Sequence, residues 1–545
     1  MPSTPTTKSQ VQAYRFVLRR MQSALVRKDA VMLHDPMRTH SRATVVGVCI
    51  AGIGLIGFLI WGILSPQPKA PTSDGIVIGK PSGQVYVLIA KPDRKLIPVF
   101  NLASARLLLM AQQQDQSEGQ GNGTSGAAAT PAASAAGGKV VAPTVVDDNQ
   151  LRDIPKGRKV GIADGPDLLP SSDQRIDSVW TVCDQYILNK DLNEPASENK
   201  VETTVIAGVK DLGRTLPQDQ SLLVKAPDGE TYLVYRTPGT ANLPNTSAVR
   251  AKVDLTKREV VSALRLNGVE PRVITTGMLN AIPEKAELRT PNIDGRGLNS
   301  NVNLDDSDLR KVGSVFKVEL AGEDTKYYVL LRDGVQEIKQ STADLIRYFD
   351  DPGSAEIKAV NPDKITNVEQ PKVIDDSTYP ARATEVLEPK NFPVACLGWS
   401  TTGTGANADE RTAVYIGDKL PGIQLDSKGQ PAYVDISTPS ADGVRIDHFF
   451  MPPGRAAVVR QSTSKEDFTT GQITLISDRG VKYGIPDTAT ANGLGLTNQL
   501  PAPENIIRLL PDGASLSVKD VKQSYDSTPF AGGQYPSTTK NSGGG

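Results

Sequence analysis

The chain has 545 residues, with 60 Lys and Arg against 61 Asp and Glu, for a formal net charge of −1. So close a balance excludes the global basic signature of a nucleic-acid-binding protein. The length allows one long core or several smaller ones, and three cysteines with three histidines leave no His/Cys group at zinc spacing.

Residues 1–42 form a basic arm. Val11, Tyr14, Val17, Leu18, Met21 and Leu25 recur at three- and four-residue steps, which predicts an amphipathic helix. Ser9 is its expected cap and Asp35-Pro36 its expected stop. Such a helix, outside any domain, needs its apolar face covered by anionic lipid or by a partner protein. Arg15, Arg19 and Arg20 suit lipid. A stripe containing Tyr14, Phe16 and Met21 favours a protein partner, and we assign Val11, Tyr14, Arg15, Phe16, Leu18, Arg19, Arg20, Met21 and Leu25 to that contact.

Residues 43–64 carry no charge. As a helix they would be roughly 33 Å long, against about 30 Å of hydrocarbon in a bilayer. Gly52-Ile53-Gly54-Leu55-Ile56-Gly57 is a literal G-x-G-x-x-G. A dinucleotide loop also needs a preceding strand, an amphipathic helix and a distant acid, and the flanks here are simply apolar. The stretch reads as a transmembrane helix whose glycines permit close helix approach. It is too long, and starts too late, for a cleaved signal peptide. Lys8, Arg15, Arg19, Arg20, Arg27, Lys28, Arg38 and Arg42 precede it, whereas only Lys69 and Lys80 follow closely. The positive-inside rule then puts the N-terminus in the cytoplasm and the bulk outside.

Residues 65–520 are read as the outer domain. Hairpin-like sequences start at Gly83, Ser221, Gly313 and Gly471, joined by Asp, Gly or Pro turns and followed by helix-like stretches such as "NLASARLLL" and "STADLIRYF". A second piece recurs as "LRDIPKGRKVGIADGPDLLP" from Leu151, "MLNAIPEKAELRTPNI" from Met278 and "IIRLLPDGASLS" from Ile506. About four copies of a strand–strand–helix unit are expected, unevenly spaced. The region 380–465 looks more purely β, with "TAVYIGD", "PAYVDIS" and "AAVVRQS". The expected fold is mixed α/β (α+β), an elongated outer body of repeats around a central β region. The Gln-, Ala- and Gly-rich segment 112–138 and the tail 521–545 are expected to be disordered.

Sites of chemistry are sparse. No G-x-x-x-x-G-K-[ST] loop occurs. His448 is the sole histidine beyond the span, and it has no nucleophile elbow near it. The acidic pairs Asp147-Asp148, Asp305-Asp306, Asp350-Asp351 and Asp375-Asp376 sit in turn-like sequence. No catalytic, cofactor-binding or metal-ligating residue is assigned. Cys183 and Cys396 both lie on the outer side, where oxidation is permitted, in "WTVC" and "CLGW" settings. One disulfide between them is expected, with two separate buried thiols as the alternative.

Together these segments resemble one family. The arm "TKSQVQAYRFVLRR…ALVRKDAVMLHDPMRTHSRA", then "VYVLIA…LIPVFNLASARLLL", "IPKGRKVGIADGPDLL", "WTVCD", "GSVFKVE…YYVLLRDGVQ", "CLGWS" and "GVKYGIPDTATANGLGL…IIRLLPDGASLS" are similar to EccB, the single-span component of mycobacterial and actinobacterial type VII (ESX) secretion systems. The insertion at 112–138, the segment 290–312 and the tail depart from the pattern. The resemblance implies an inner-membrane protein that works with EccC-like, EccD-like and EccE-like subunits and the lipid bilayer. It also implies self-association through the periplasmic domain, repeat modules around a central β domain, and a disulfide joining the cysteines that Cys183 and Cys396 match. The function it implies is that of a structural and assembly subunit for protein export. EccB-like proteins are often catalogued as ATPases, so ATP is the cofactor that label would bring. An ATP-hydrolysing envelope enzyme and a peptidoglycan-binding module are the alternative readings.

Overall fold

The computed structural model describes residues 7–27, 36–64, 70–118, 140–187, 200–237, 248–320, 322, 324–351, 356–403, 408–423, 425, 429, 432–440 and 443–523. Two units are present, Met1–Lys69 and Ala70–Gly545. In the first, α1 spans Lys8–Arg27 and α2 spans Pro36–Leu64. Thr7, not Ser9, precedes the first turn of α1. The Thr7 amide donates to Gln10 Oε1 at 3.0 Å, one half of a capping box, while Ser9 already lies inside the helix. Pro36 opens α2, where a missing N–H costs nothing. Asp35, the other half of the expected stop, lies outside the described residues. Within α2, Arg42–Gly62 is apolar over 21 residues with none of it buried, about 31 Å of helix.

The second unit is built from four modules and a central sheet. In module 1, β1 (Gly75–Lys80), β2 (Val85–Ile89) and β3 (Lys95–Val99) form an antiparallel meander. Helix α3 (Leu102–Glu118) then crosses over, and β4 (Thr144–Asp147) pairs parallel to β1, giving the order β3-β2-β1-β4. Short turns suffice for the antiparallel pairs, whereas the parallel return needs a crossover, which the helix supplies. The chain next lays down β5 (Val179–Ile187), β6 (Lys200–Ala207) and β7 (Arg214–Thr215) of the central sheet.

Module 2 repeats the plan: β8 (Gln220–Lys225), β9 (Thr231–Arg236) and β10 (Ala248–Lys252), helix α4 (Arg258–Ala263), then β11 (Arg272–Val273) parallel to β8. It adds α5 (Thr276–Ala281) and β12 (Glu284–Lys285). Module 3 has β13 (Val315–Val318), β14 (Lys326–Leu330) and β15 (Val335–Ile338), α6 (Gln340–Asp350) and β16 (Lys358–Ala359) parallel to β13, followed by β17 (Glu385–Val386) on β8. The chain returns to the central sheet for β18 (Val394–Thr402), β19 (Asp409–Gly417), β20 (Val434–Asp435) and β21 (His448–Phe450). Module 4 closes with β22 (Ala456–Ser462), β23 (Ile473–Ser477) and β24 (Lys482–Ile485), α7 (Thr488–Leu494), β25 (Leu500–Pro503) parallel to β22, and α8 (Glu504–Ile507).

The second recurrent sequence piece has a defined job in three modules. After the fourth strand, an apolar residue is buried, a proline follows, and the proline carbonyl accepts from the third strand. Leu96 donates to Pro155 and Arg250 to Pro283, each at 2.9 Å, and Lys482 donates to Pro511 at 3.0 Å. Ile154, Ile282 and Leu510 are the buried residues. Proline suits this edge because its carbonyl is used and its absent N–H is not needed.

The central sheet runs β20-β21-β6-β5-β18-β19-β7. It differs from the expected 380–465 region in two ways. Its middle includes β5 and β6, drawn from the stretch between modules 1 and 2. "AAVVRQS" is β22, the first strand of module 4, because Val459 pairs with Thr474 and with Leu500 rather than with the central strands. The expected insertion at 112–138 is also shortened, since α3 continues through Gln112–Glu118. Its Gln-rich end contains good helix formers, and residues 119–138 lie outside the described residues. At the other end, Val521 is fully buried and Lys522 pairs with Asp115 at 2.9 Å, so the folded body reaches Gln523. The expected tail beyond it lies outside the described residues. The 290–312 segment folds over module 3, with Ile293, Leu304 and Leu309 buried.

Modules pack in pairs. One core joins Val87, Val99 and Leu107 of module 1 to Val458, Leu475 and Leu494 of module 4. Helices α3 and α7 approach so closely that a Cβ on Gly493 would lie 2.2 Å from Met110 Sδ. Another core joins Leu233, Val249 and Val260 of module 2 to Leu345 of α6. The largest core lies on one face of the central sheet. There Trp180, Val182, Leu397 and Trp399 meet Leu222 and Met278 of module 2 and Val459, Ile476 and Ile506 of module 4.

The β23–β24 turn gives a test of this packing. Gly480 has φ +79°, and a Cβ there would lie 2.7 Å from Cγ of Phe449, which is fully buried in β21. Gly229 has φ +91° with open space around it. Gly229→Ala should cost roughly 1 kcal/mol, from backbone strain alone. Gly480→Ala should cost about 1–3 kcal/mol more, by strain plus displacement of the Phe449 ring. Denaturant unfolding of the two variants checks the order.

Candidate functional site

Three features carry the sequence-derived site residues: the arm helix, the apolar helix and the cysteine-bearing centre of the large sheet. On α1, Tyr14 is 67 % exposed, Met21 56 % and Leu25 79 %. Val11, Val17 and Leu18 are exposed as well. At about 100° per residue these six fall within roughly 120° of one face. Phe16 does not join them. It lies about 140° round from Val11, on the side of Arg20, so its sequence proximity to Tyr14 puts it on another face. Arg15 and Arg19 flank the stripe and are exposed.

The glycine-rich stretch Gly52–Gly57 lies in the middle of α2, and no strand precedes it in the described part of the first unit. A Cβ added at Gly52, Gly54 or Gly57 would meet nothing within 4 Å. Their backbone N–H groups are committed to the helix ladder, so they form no phosphate cradle.

Cys183 and Cys396 form a disulfide, closing a sequence separation of 213 residues. They are direct partners across β5 and β18, and in the same antiparallel register Trp180 faces Trp399. The mirrored spacings W-x-x-C and C-x-x-W therefore encode one register: the sulfurs meet on one face, and the tryptophans meet three positions along, on the opposite face. Cys183 and Cys396 are buried with Ile206, Val394 and Phe450. On the other face, Trp399 donates its indole N–H to Glu410 at 2.6 Å and meets Phe468 edge to face.

Beside the disulfide is a buried polar joint that sequence reasoning missed. Asp184 Oδ2 accepts from the Thr275 amide at 2.7 Å. Its Oδ1 accepts from the hydroxyls of Thr203, at 2.9 Å, and Thr275, at 2.8 Å. Thr275 also caps α5, accepting from the Met278 amide. Arg272, only 4 % exposed, donates to the carbonyls of Phe392 and Pro393, each at 3.1 Å, and stacks over the Tyr186 ring at 5.1 Å. The Tyr186 hydroxyl donates to the Val273 carbonyl at 3.1 Å. The joint pins β11 and α5 of module 2 to β5 and β6. Burial pushes the Asp184 carboxyl above the usual carboxylate range, against the opposing pull of Thr275, Thr203 and the Arg272 charge. Burial likewise lowers the Arg272 guanidinium. The one sequence signal was an acid inside the apolar run "VWTVCDQYI", since a buried acid needs donors.

His448 sits between two carboxylates, with Nδ1 2.9 Å from Asp435 Oδ1 and Nε2 3.3 Å from Glu202 Oε2, and the Tyr433 ring stacks on it at 3.9 Å. Both ring nitrogens are thereby taken up in holding β20 and β6 to β21. The acidic pairs are structural as well. Asp147 caps a short helical turn at Asn149, and Asp148 accepts from Ser82. Asp305 pairs with Lys364, Asp306 with Lys358 and Asp350 with Arg296. Asp375 accepts from the Ser377 amide, and Asp376 from the Lys339 amide and the Thr342 hydroxyl.

Comparisons with known proteins agree on one family. A family model described as type VII secretion system ESX-1, transport TM domain B, matches residues 3–530. The ESX-1 secretion system ATPase EccB1 of Mycobacterium tuberculosis is 27% identical over 527 residues, covering 96% of each chain. A chain in the structure of an intact ESX-5 inner membrane complex aligns with a TM-score of 0.62 at 23% identity, covering 99% of both chains. The EccB3 dimer from the ESX-3 core complex gives a TM-score of 0.62 at 24% identity, covering 83% of this chain and 100% of that one.

Two outcomes follow from the centre of the sheet. Closing a loop of this length contributes at most about 5 kcal/mol through the unfolded chain. Cys183→Ala with Cys396→Ala should therefore lower the unfolding free energy by several kcal/mol, and the reduced wild-type chain should behave alike. Two separate thiols would show neither effect. For Asp184, a folded-state pKa above the unfolded value of about 3.9 means that its stabilisation is fully present below pH 4 and is lost as pH rises. The stability difference between wild type and Asp184→Asn should therefore shift in favour of the Asn variant between pH 4 and pH 7, as thermal unfolding at each pH would report.

Proposed function

The chain belongs to the EccB family of type VII secretion transport proteins, and from that premise we propose that it is a structural and assembly subunit of an ESX-type protein-export complex in the inner membrane. The observation that carries this reading is the family match across almost the whole chain, from arm through span to the outer modules. In this reading α2 crosses the bilayer once, α1 stays in the cytoplasm and the modules project outward, as the excess of arginine and lysine before the span requires. The apolar stripe of α1 packs against EccC-like and EccD-like subunits, with an EccE-like subunit in the same assembly. The outer modules associate with a second copy, a reading supported by the likeness to the EccB3 dimer from the ESX-3 core complex.

The names of the relatives include the word ATPase. In this chain the G-x-G-x-x-G stretch Gly52–Gly57 is the interior of a membrane-length helix, and His448 and the acidic pairs are engaged in holding strands and turns together. The architecture supports scaffolding: two helices at the membrane, then a body locked by a buried disulfide.

Purification of the full chain in mild detergent tests the proposal. EccC-like and EccD-like proteins should co-purify with the wild type. Leu18→Glu with Met21→Glu should reduce their recovery at least tenfold while leaving the thermal unfolding of the outer modules unchanged. Absence of such partners from the wild-type preparation would contradict the assembly reading, and ATP turnover that a point substitution abolishes would favour an enzyme.

A further inference from the structure

Module 1 carries a cationic surface that none of the features above uses. The β2–β3 loop contributes Lys91 and Arg94, the start of β3 contributes Lys95, and the segment after β4 contributes Arg152, Lys156 and Arg158, all exposed. The two segments are neighbours: Leu96 bridges to Lys156 in parallel, and a Cβ on Gly157 would lie 3.2 Å from Lys95 Cε. Lys156 lies over the Tyr86 ring at 5.5 Å and Lys159 over the Phe100 ring at 4.0 Å. Asp93, Asp148 and Asp153 are the acids within these segments, and Asp74 is held against the loop at Ala90. No ion pair among the described residues engages Lys91, Lys95, Arg152 or Lys156, whereas Lys317, Lys358 and Lys364, in or next to module 3, are each paired with a carboxylate.

The same loop holds the start of the outer unit. Arg94 donates to the Pro71 carbonyl at 3.2 Å, and the Ala90 amide donates to Asp74 Oδ1 at 2.7 Å. Residues 70–74, which lead back toward the membrane-length helix, are thus fastened to the loop that bears Lys91 and Arg94 and leads into Lys95. Only residues 65–69 intervene between Leu64 and Ala70, a contour of at most about 20 Å. Covalent continuity alone keeps the cationic loop within reach of headgroups.

We propose that this surface of module 1 docks on the anionic phospholipid headgroups of the bilayer that α2 crosses, so that the first module is held against the membrane by charge as well as by its tether. The inference rests on the reading that α2 spans the bilayer. Clustered Lys and Arg beside a span recognise anionic lipid in this way, and the attraction is confined to a Debye length of about 8 Å at physiological salt. An acidic protein is the other class of partner such a surface suits. Lipid is favoured because the tether delivers it to the surface continuously.

The test uses the full chain in nanodiscs of phosphatidylcholine alone or with 30 mol % phosphatidylglycerol. Lysine acetylation is followed residue by residue by mass spectrometry. Acetylation of Lys91, Lys95 and Lys156 should be at least threefold slower in the anionic discs and should recover in 0.5 M NaCl. Lys285 and Lys419, exposed on other elements, should react alike in both discs. Equal rates at Lys91, Lys95 and Lys156 in the two discs would overturn the proposal, as would protection in both discs that salt does not relieve. Failure of the chain to remain with the discs would instead overturn the spanning reading.

Discussion

The pairing of β5 with β18 is the contact on which the outer unit depends. These strands come from opposite sides of modules 2 and 3, separated by 213 residues at the cysteine pair, and they lie side by side in the middle of the central sheet. Bringing such distant segments together has a large loop-closure cost. Three things offset it at one place: the disulfide, the Trp180 and Trp399 side of the largest core, and the Asp184–Thr275 joint beside them. Everything between the two strands is thereby made into a closed loop, and modules 1 and 4 are left to find each other outside it.

That arrangement explains how four similar units make an asymmetric body. Each module alone has a meander, a crossover helix and one parallel return, too small to bury its helix fully. Pairing through α3 with α7, and α4 with α6, supplies the missing surface. Module 2 is then fixed to the central sheet by apolar packing and by a polar joint whose every acceptor has a donor. A buried carboxylate surrounded by hydroxyls and an amide specifies a docking angle in a way that an apolar contact does not.

Much of this is legible in the residues. Period-two runs around Asp-Gly and Pro turns mark the hairpins, and "NLASARLLL" and "STADLIRYF" mark the helices that follow them. The mirrored Trp and Cys spacings even contain the register of β5 against β18, since an antiparallel pair must present its residues in reverse order. The short returning strands are not legible: β11 and β16 are two residues each, and their pairing is set by the crossover rather than by propensity. Segment 456–462 reads as a generic β run, and only its partners place it in module 4. Phe16 shows the limit on the helical side, where a separation of two residues from Tyr14 along the chain hides an angle of about 160°. Arg272 and Asp184 come together through tertiary contact alone, so no local spacing announces them.

Scaffolding in an export complex asks for a body that keeps its shape while its ends engage other surfaces, and a sheet closed by a buried crosslink provides that. Hydrogen–deuterium exchange of the oxidised and reduced chains measures the central claim directly. The amides of Val179–Ile187 and Val394–Thr402 should be among the slowest of the outer unit when oxidised. On reduction they should lose protection together, along with Thr275–Ala281 of module 2. If the two strands exchanged independently, or if reduction left both as protected as before, the pairing would not be the constraint that holds the modules in place.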